Sequence, residues 1–248
     1  MLELTTEYGR VCVGSTEELF AEAARLGGAA WAAAPRGRFA WALTGGSTPK
    51  AWYRWCVDQR ALPAETIAET HWFVSDERCV PLASDDSNFG NAQRQLLEPL
   101  EMPVGNRHPW KVALGPEVAA EGFPAELWRV AGPGRGFGLC FLGLGNDGHT
   151  ASLFPGSPLL SAAALAEAAA PHFAAVEVPG KGWRLTITPA GLRACDQIVV
   201  MATGAAKAAA VERVFRGIEE VSAVPAKVLR SCAERMTWLL DEAAAARL

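Results

Sequence analysis

Asn146, Asp147 and His149 carry the densest polar chemistry in an otherwise apolar and glycine-rich stretch, Phe137 to Gly156 (FGLCFLGLGNDGHTASLFPG). An imidazole titrates near neutrality, so it can take a proton from water and return it. Asp147, two residues before His149, is placed to orient the ring or stabilise its cation, although i and i+2 in a loop need not touch. Glycines at 143, 145 and 148 permit close approach of backbone to ligand.

The loop needs a rigid support, and the apolar run Leu139-Cys140-Phe141-Leu142 supplies one as a buried strand. Ligands of open α/β sheets bind outside the carboxyl ends of strands, where such loops emerge. Two plainer readings compete. Gly143-x-Gly145-x-x-Gly148 matches the dinucleotide fingerprint. That fingerprint requires a long following helix, which Pro155 and Pro158 interrupt, and Asp147 would face a pyrophosphate. The other reading is a tight turn with solvated Asp and His.

Three further clusters follow predicted strands. Arg38–Thr44 reads as a strand entering Gly45-Gly46-Ser47-Thr48-Pro49 and a helix through Trp52 and Cys56. Thr48 is the expected N-cap, and strand, Gly-Gly-Ser-Thr, helix is the layout of an anion cradle. His71–Ser75 ends in Asp76-Glu77-Arg78, which reads as a solvated face unless Asp85-Asp86-Ser87-Asn88 returns to it. Asp196–Thr203 runs into Gly204-Ala205-Ala206-Lys207 and a helix to Arg216. Lys207 opposes that helix's dipole, a misfit relieved by an anion at the same end.

The remaining elements follow from pattern. Ser15 and Glu18 form a capping box for a helix to about Ala34. A helix is predicted over 91–100, a short one between Pro116 and Val130, and an alanine-rich one within 161–170. Phe173–Val178, Trp183–Thr188 and Arg235–Asp241 read as strands, with Leu185 and Ile187 on one face and Arg184 and Thr186 on the other. A short alanine helix is expected at the end. Alternating strands and helices without a linker or repeat predict a single α/β domain, 1–248, with a largely parallel sheet. The four clusters, 44–48, 76–78, 145–149 and 204–207, then gather on one sheet edge.

Bulk properties narrow the partners. Half of the 248 residues are hydrophobic and 20% are charged, enough for a substantial core. A net charge of -4 argues against nucleic acid, and no apolar run reaches membrane-spanning length. Acids in MLELTTEYGR and the lack of a signal-peptide pattern lead to a cytoplasmic expectation. The six cysteines show no CxxC spacing and read as reduced, with Cys140, Cys195 and Cys232 beside apolar segments. Histidines 71, 108, 149 and 172 lack metal-ligand spacing, so no metal site is expected.

LTGGSTP at 43–49, SDERCVP at 75–81 with SN at 87–88, GLGNDGHTASLFPG at 143–156, RLTITP at 184–189 and GAAK at 204–207 together resemble the 6-phosphogluconolactonase family. The runs occur in that family's order over nearly the whole chain, and DGHTASLFPG is the specific one. The resemblance implies a modified Rossmann-like fold with helices on both faces. It also implies cofactor-free hydrolysis of a phosphorylated sugar lactone, 6-phospho-D-glucono-1,5-lactone, to 6-phosphogluconate in the oxidative pentose phosphate pathway. Monomer and homodimer both stay open.

On this reading His149 activates water, Asp147 supports it, and Arg78 with loop N–H groups stabilises the oxyanion. Ser152 as an acyl carrier is the weaker alternative. The match points to Arg184 and Lys207 for the phosphate, with Gly45, Gly46, Ser47 and Thr48 around it and Ser157 adding a bond. It extends substrate contact to Asn88, Gly145 and Asn146. Asp76 and Glu77 either bind ring hydroxyls or organise Arg78. The related glucosamine-6-phosphate deaminase carries a glutamate five residues after the histidine, where this chain has Phe154. A catalytically silent sugar-phosphate sensor and a dinucleotide-dependent oxidoreductase are the readings from other classes.

Overall fold

The computed structural model describes residues 1–248. An N-terminal hairpin, β1 (Leu2–Thr6) and β2 (Gly9–Gly14), precedes α1 (Thr16–Ala33). Then come β3 (Ala40–Leu43), α2 (Ser47–Gln59), α3 (Ala64–Glu69), β4 (His71–Val74) and β5 (Asp76–Arg78). They lead to α4 (Asn88–Ala92), α5 (Pro116–Ala131), β6 (Leu139–Gly143), α6 (Ala162–Ala166), β7 (Phe173–Val178) and β8 (Gly182–Ile187). The chain closes with α7 (Pro189–Ala194), β9 (Ile198–Ala202), α8 (Ala208–Phe215) and β10 (Met236–Asp241).

Seven strands form the main sheet in the order β1-β2-β10-β9-β6-β3-β4, parallel throughout except for the β1–β2 hairpin. Every residue of β3 (AWAL) and β9 (IVVMA) is buried, as parallel strands covered on both faces require. From β3 the chain passes to β4 on one side, then crosses back to β6 on the other. The direction of winding therefore reverses between β3 and β6, which opens a crevice at their carboxyl ends.

Below the crevice lies an aromatic core. Trp41 stacks on Trp72 with ring centroids 5.1 Å apart and meets Phe141 edge-on at 5.1 Å. Helix α1 lies directly on this cluster: a methyl group at Gly27 would fall 1.8 Å from the Trp41 ring. The Ser15–Glu18 capping box forms as expected, with both reciprocal bonds present.

A second sheet, antiparallel and three-stranded (β5-β8-β7), stands apart from the first, a separation that strand alternation along the sequence does not predict. Ser75 joins the two sheets, donating its N–H to Leu43 and accepting from Ile187. The Asp76-Glu77-Arg78 run is consequently strand β5, with both acids buried, and not a solvated face. The N-terminal hairpin also went unread. The Pro116 helix is sixteen residues long and accommodates Pro124 internally. The alanine-rich segments gave less helix than expected: only Ala162–Ala166, and turns at the C-terminus. Short alanine runs nucleate poorly without an apolar face to pack. All six cysteines are free thiols.

Candidate active site

The four polar clusters meet around one cavity of about 210 Å³ at the carboxyl ends of β3 and β6. Thr44–Pro49, Asp76, Arg78, Asn88, Gly143–Gly145, His149, Ala151, Met201 and Lys207 form its wall. Two glycines are sterically required there. A methyl group at Gly45 would fall 2.0 Å from the Asn88 Oδ1, and one at Gly145 would fall 2.0 Å from the His149 Nδ1. The second of these lets the imidazole fold back over its own loop.

His149 is held on two sides. Its Nδ1 lies 2.5 Å from Asp147 Oδ1, which also accepts the His149 backbone N–H at 3.1 Å. The Phe154 ring packs against the imidazole with centroids 4.3 Å apart. Burial pushes the Asp147 pKa up, but the two hydrogen bonds from His149 outweigh it and the carboxyl sits below its usual value. An ionised carboxylate only accepts, so the Nδ1 that faces Asp147 carries a ring proton, and the imidazole lines the cavity. The i, i+2 pair therefore does touch.

Helix α2 begins at Ser47, with Gly46 as its cap at φ 108° and no side chain bonded to its first N–H groups. Thr48 is thus inside the helix rather than its N-cap, and its hydroxyl shares a hydrogen bond of 2.8 Å with Thr203. An uncapped helix start facing a cavity offers free donors and the positive end of a dipole. Lys207 reaches the same cavity half-buried; burial lowers its pKa, and Asp147 opposes that shift.

A family model described as glucosamine-6-phosphate isomerases/6-phosphogluconolactonase matches residues 14–238. The chain belongs to that family. A 6-phosphogluconolactonase from Synechocystis sp. is 35% identical over 222 residues, 88% of each chain. A 6-phosphogluconolactonase from Rattus norvegicus is 36% identical over 215 residues, 85% of this chain and 80% of the relative. The solved 6-phosphogluconolactonase from Trypanosoma brucei superposes on all of both chains with a TM-score of 0.79 at 27% identity. A monomeric glucosamine-6-phosphate deaminase matches in fold, at TM-score 0.76 and 18% identity.

Within this family member the two acids of β5 divide their work. Asp76 is on the cavity wall, accepting from Ser152 Oγ at 2.7 Å and from the Asn88 amide at 3.3 Å; its burial raises its pKa. Ser152 is itself buried, its hydroxyl donated to Asp76, and it is not on the cavity wall. Glu77 points away from the cavity. Its Oε1 accepts the N–H groups of Arg78 (2.8 Å) and Asn88 (2.6 Å). Its Oε2 accepts from Ser87 Oγ (2.9 Å) and Phe89 N–H (2.8 Å). Glu77 therefore organises the wall, with both carboxylate oxygens bonded to Arg78, Ser87, Asn88 and Phe89.

Three other predicted positions, Arg184, Asn146 and Ser157, also differ. Arg184 stands opposite Arg78 in the β5–β8 register, outside the wall, donating to the Trp183 carbonyl. Burial and the neighbouring Arg78 charge lower its pKa. Asn146 and Asp147 are exposed at the loop tip; Asp147 reaches the site only through His149. Ser157 lies off the wall with its hydroxyl enclosed and without a partner. Its position is set by the turn after Phe154, which spacing alone does not reveal. Thr44, Pro49, Gly143, Leu144, Ala151 and Met201 also line the wall without having been predicted as site residues. All but Met201 stand inside the motif runs already quoted; Met201 carried no signal beyond its apolar strand.

Proposed function

We propose that this chain hydrolyses 6-phospho-D-glucono-1,5-lactone to 6-phosphogluconate. The observation that carries the reading is the His149 imidazole, fixed through Nδ1 by Asp147 and lining a cavity that also holds Lys207 and an uncapped helix start. The lactone phosphate sits against the α2 N-terminus and Lys207, where fixed donors and a cation converge. Gly45, Gly46, Ser47 and Thr48 shape that end, while Asp76 and Asn88 meet ring hydroxyls across it.

Water attacks C1 as His149 Nε2 removes its proton. The carbonyl electrons move to oxygen, and Arg78 with loop N–H groups faces the resulting oxyanion. Collapse breaks the bond from C1 to the ring oxygen, which takes the proton back from His149. The open acid then leaves. A lactone is already an activated ester, so neither a covalent nucleophile nor a cofactor is needed.

The test is lactone consumption above the spontaneous rate, coupled to 6-phosphogluconate dehydrogenase. No acceleration over buffer overturns the proposal. The deaminase reading is disfavoured by Phe154, which packs on His149 where that enzyme places a glutamate. Ammonia release from glucosamine 6-phosphate at a rate comparable to lactone turnover would restore it.

A further inference from the structure

Arg213 lies six residues beyond Lys207, near the end of α8, and no motif points to it. Its three guanidinium nitrogens donate to three places. Nη1 donates to the Asp147 carbonyl at 3.2 Å, Nη2 to the Ala223 carbonyl at 3.3 Å, and Nε to Glu219 Oε1 at 3.0 Å. The 217–227 segment that supplies two of these partners is itself tied down. Lys227 Nζ donates to the carbonyls of Gly217 and Glu219, each at 2.6 Å.

The same segment buttresses the loop bearing His149. Ala226 N–H donates to the Gly148 carbonyl at 2.9 Å. Val224 closes over Gly148, where a methyl group would fall 3.0 Å from its Cγ1. The 147–148 peptide group is thus held from both sides: its Gly148 N–H donates to the Gly145 carbonyl at 3.0 Å, and its Asp147 carbonyl, at the exposed loop tip, accepts from Arg213. Arg213 secures the carbonyl side of that peptide, next to the residue whose carboxylate meets the His149 backbone N–H and ring Nδ1.

We propose that Arg213, braced by Glu219, is a positioning residue that aims Asp147 at His149. It touches neither the cavity nor the reacting atoms; its one direct bond to the His149 loop is to the Asp147 carbonyl. The inference rests on the proposed function, since it assumes that the Asp147–His149 pair works on the substrate.

A double-mutant cycle separates this role from a merely structural one. Arg213→Met is expected to lower kcat roughly 10-fold with KM within about twofold, short of the ~10²-fold that a 1 Å misplacement costs. In an Asp147→Ala background the same change should cost nothing further, because the group it aims is gone. Arg213→Lys, which cannot reach three partners at once, should fall between wild type and Arg213→Met and serves if the Met variant folds poorly. Proton NMR gives a second readout: the low-field His149 Nδ1–H resonance, identified by its loss in Asp147→Ala, should broaden or vanish in Arg213→Met.

Full additivity in the cycle, or a resonance unchanged in Arg213→Met, overturns the inference. So does a wild-type spectrum with no Asp147-dependent resonance, for the carboxylate is then not held on the ring. If Asp147→Ala retains wild-type activity, it is the proposed mechanism that fails.

Discussion

Replacing Glu77 by glutamine exchanges one oxygen for an NH2 group at a buried position whose four neighbours all donate. The amide has a preferred orientation. With its oxygen toward Arg78 and Asn88, its NH2 meets Ser87 Oγ and the Phe89 N–H. The serine hydroxyl can turn to accept; the Phe89 N–H cannot. One buried N–H is left facing another donor, which costs about 1–3 kcal/mol. The bonds that remain lose their charge assistance, roughly 1 kcal/mol each. Relief from burying a carboxylate, whose pKa burial already raises, offsets part of this. The expected net loss is about 2–4 kcal/mol, against the 5–15 kcal/mol that stabilises a typical domain. For a chain of this size that is a drop in Tm on the order of 10 °C. Glu77→Ala, which orphans all four donors, should be worse. Urea unfolding monitored by tryptophan fluorescence reads the loss, and lactone kinetics on the folded fraction should show KM within about threefold of wild type. Wild-type stability combined with a KM raised ten-fold or more would refute the reasoning and return Glu77 to the substrate.

His149→Gln should lose roughly 10²–10⁴-fold in kcat with little change in KM, the usual contribution of a positioned base; retention of more than about a tenth of kcat after subtracting spontaneous hydrolysis would exclude it. Lys207→Ala should weaken binding by on the order of 1.5–3 kcal/mol for the phosphorylated lactone and much less for unphosphorylated gluconolactone; equal losses on both would remove Lys207 from the phosphate. Stability should also depend on pH through His108, whose Nε2 bonds His71 at 2.8 Å and whose Nδ1 lies 3.9 Å from Glu126. Burial, with the neighbouring His71 and Arg129 charges and against Glu126, pushes its pKa down to about 4. Between that value and the ~6.5 of an unfolded histidine, only the unfolded chain binds the proton, so stability should fall as pH drops through this window. Above about pH 6.5 the contribution is constant, and His108→Gln should flatten the slope in urea titrations taken from pH 7 to 4.

Local chemistry was legible in the sequence by itself. The capping box at Ser15, the apolar runs of β3, β6 and β9, and the glycine-rich loops after them are set by interactions within a few residues. A largely parallel sheet followed from their alternation, and the convergence of four loops followed from that sheet. What only the tertiary structure decided depends on partners distant in the chain. Asp76-Glu77-Arg78 reads as a solvated charge run until β8 pairs with it and the 87–89 backbone supplies donors to Glu77. Arg184 alternates to the polar face of its strand, yet which space that face overlooks is fixed by the second sheet. The grip of Arg213 on Asp147 spans 66 residues and leaves no periodic trace. Sequence patterns report the burial and turns a segment must satisfy locally; a polar contact between remote segments exists only once packing has brought donor and acceptor together.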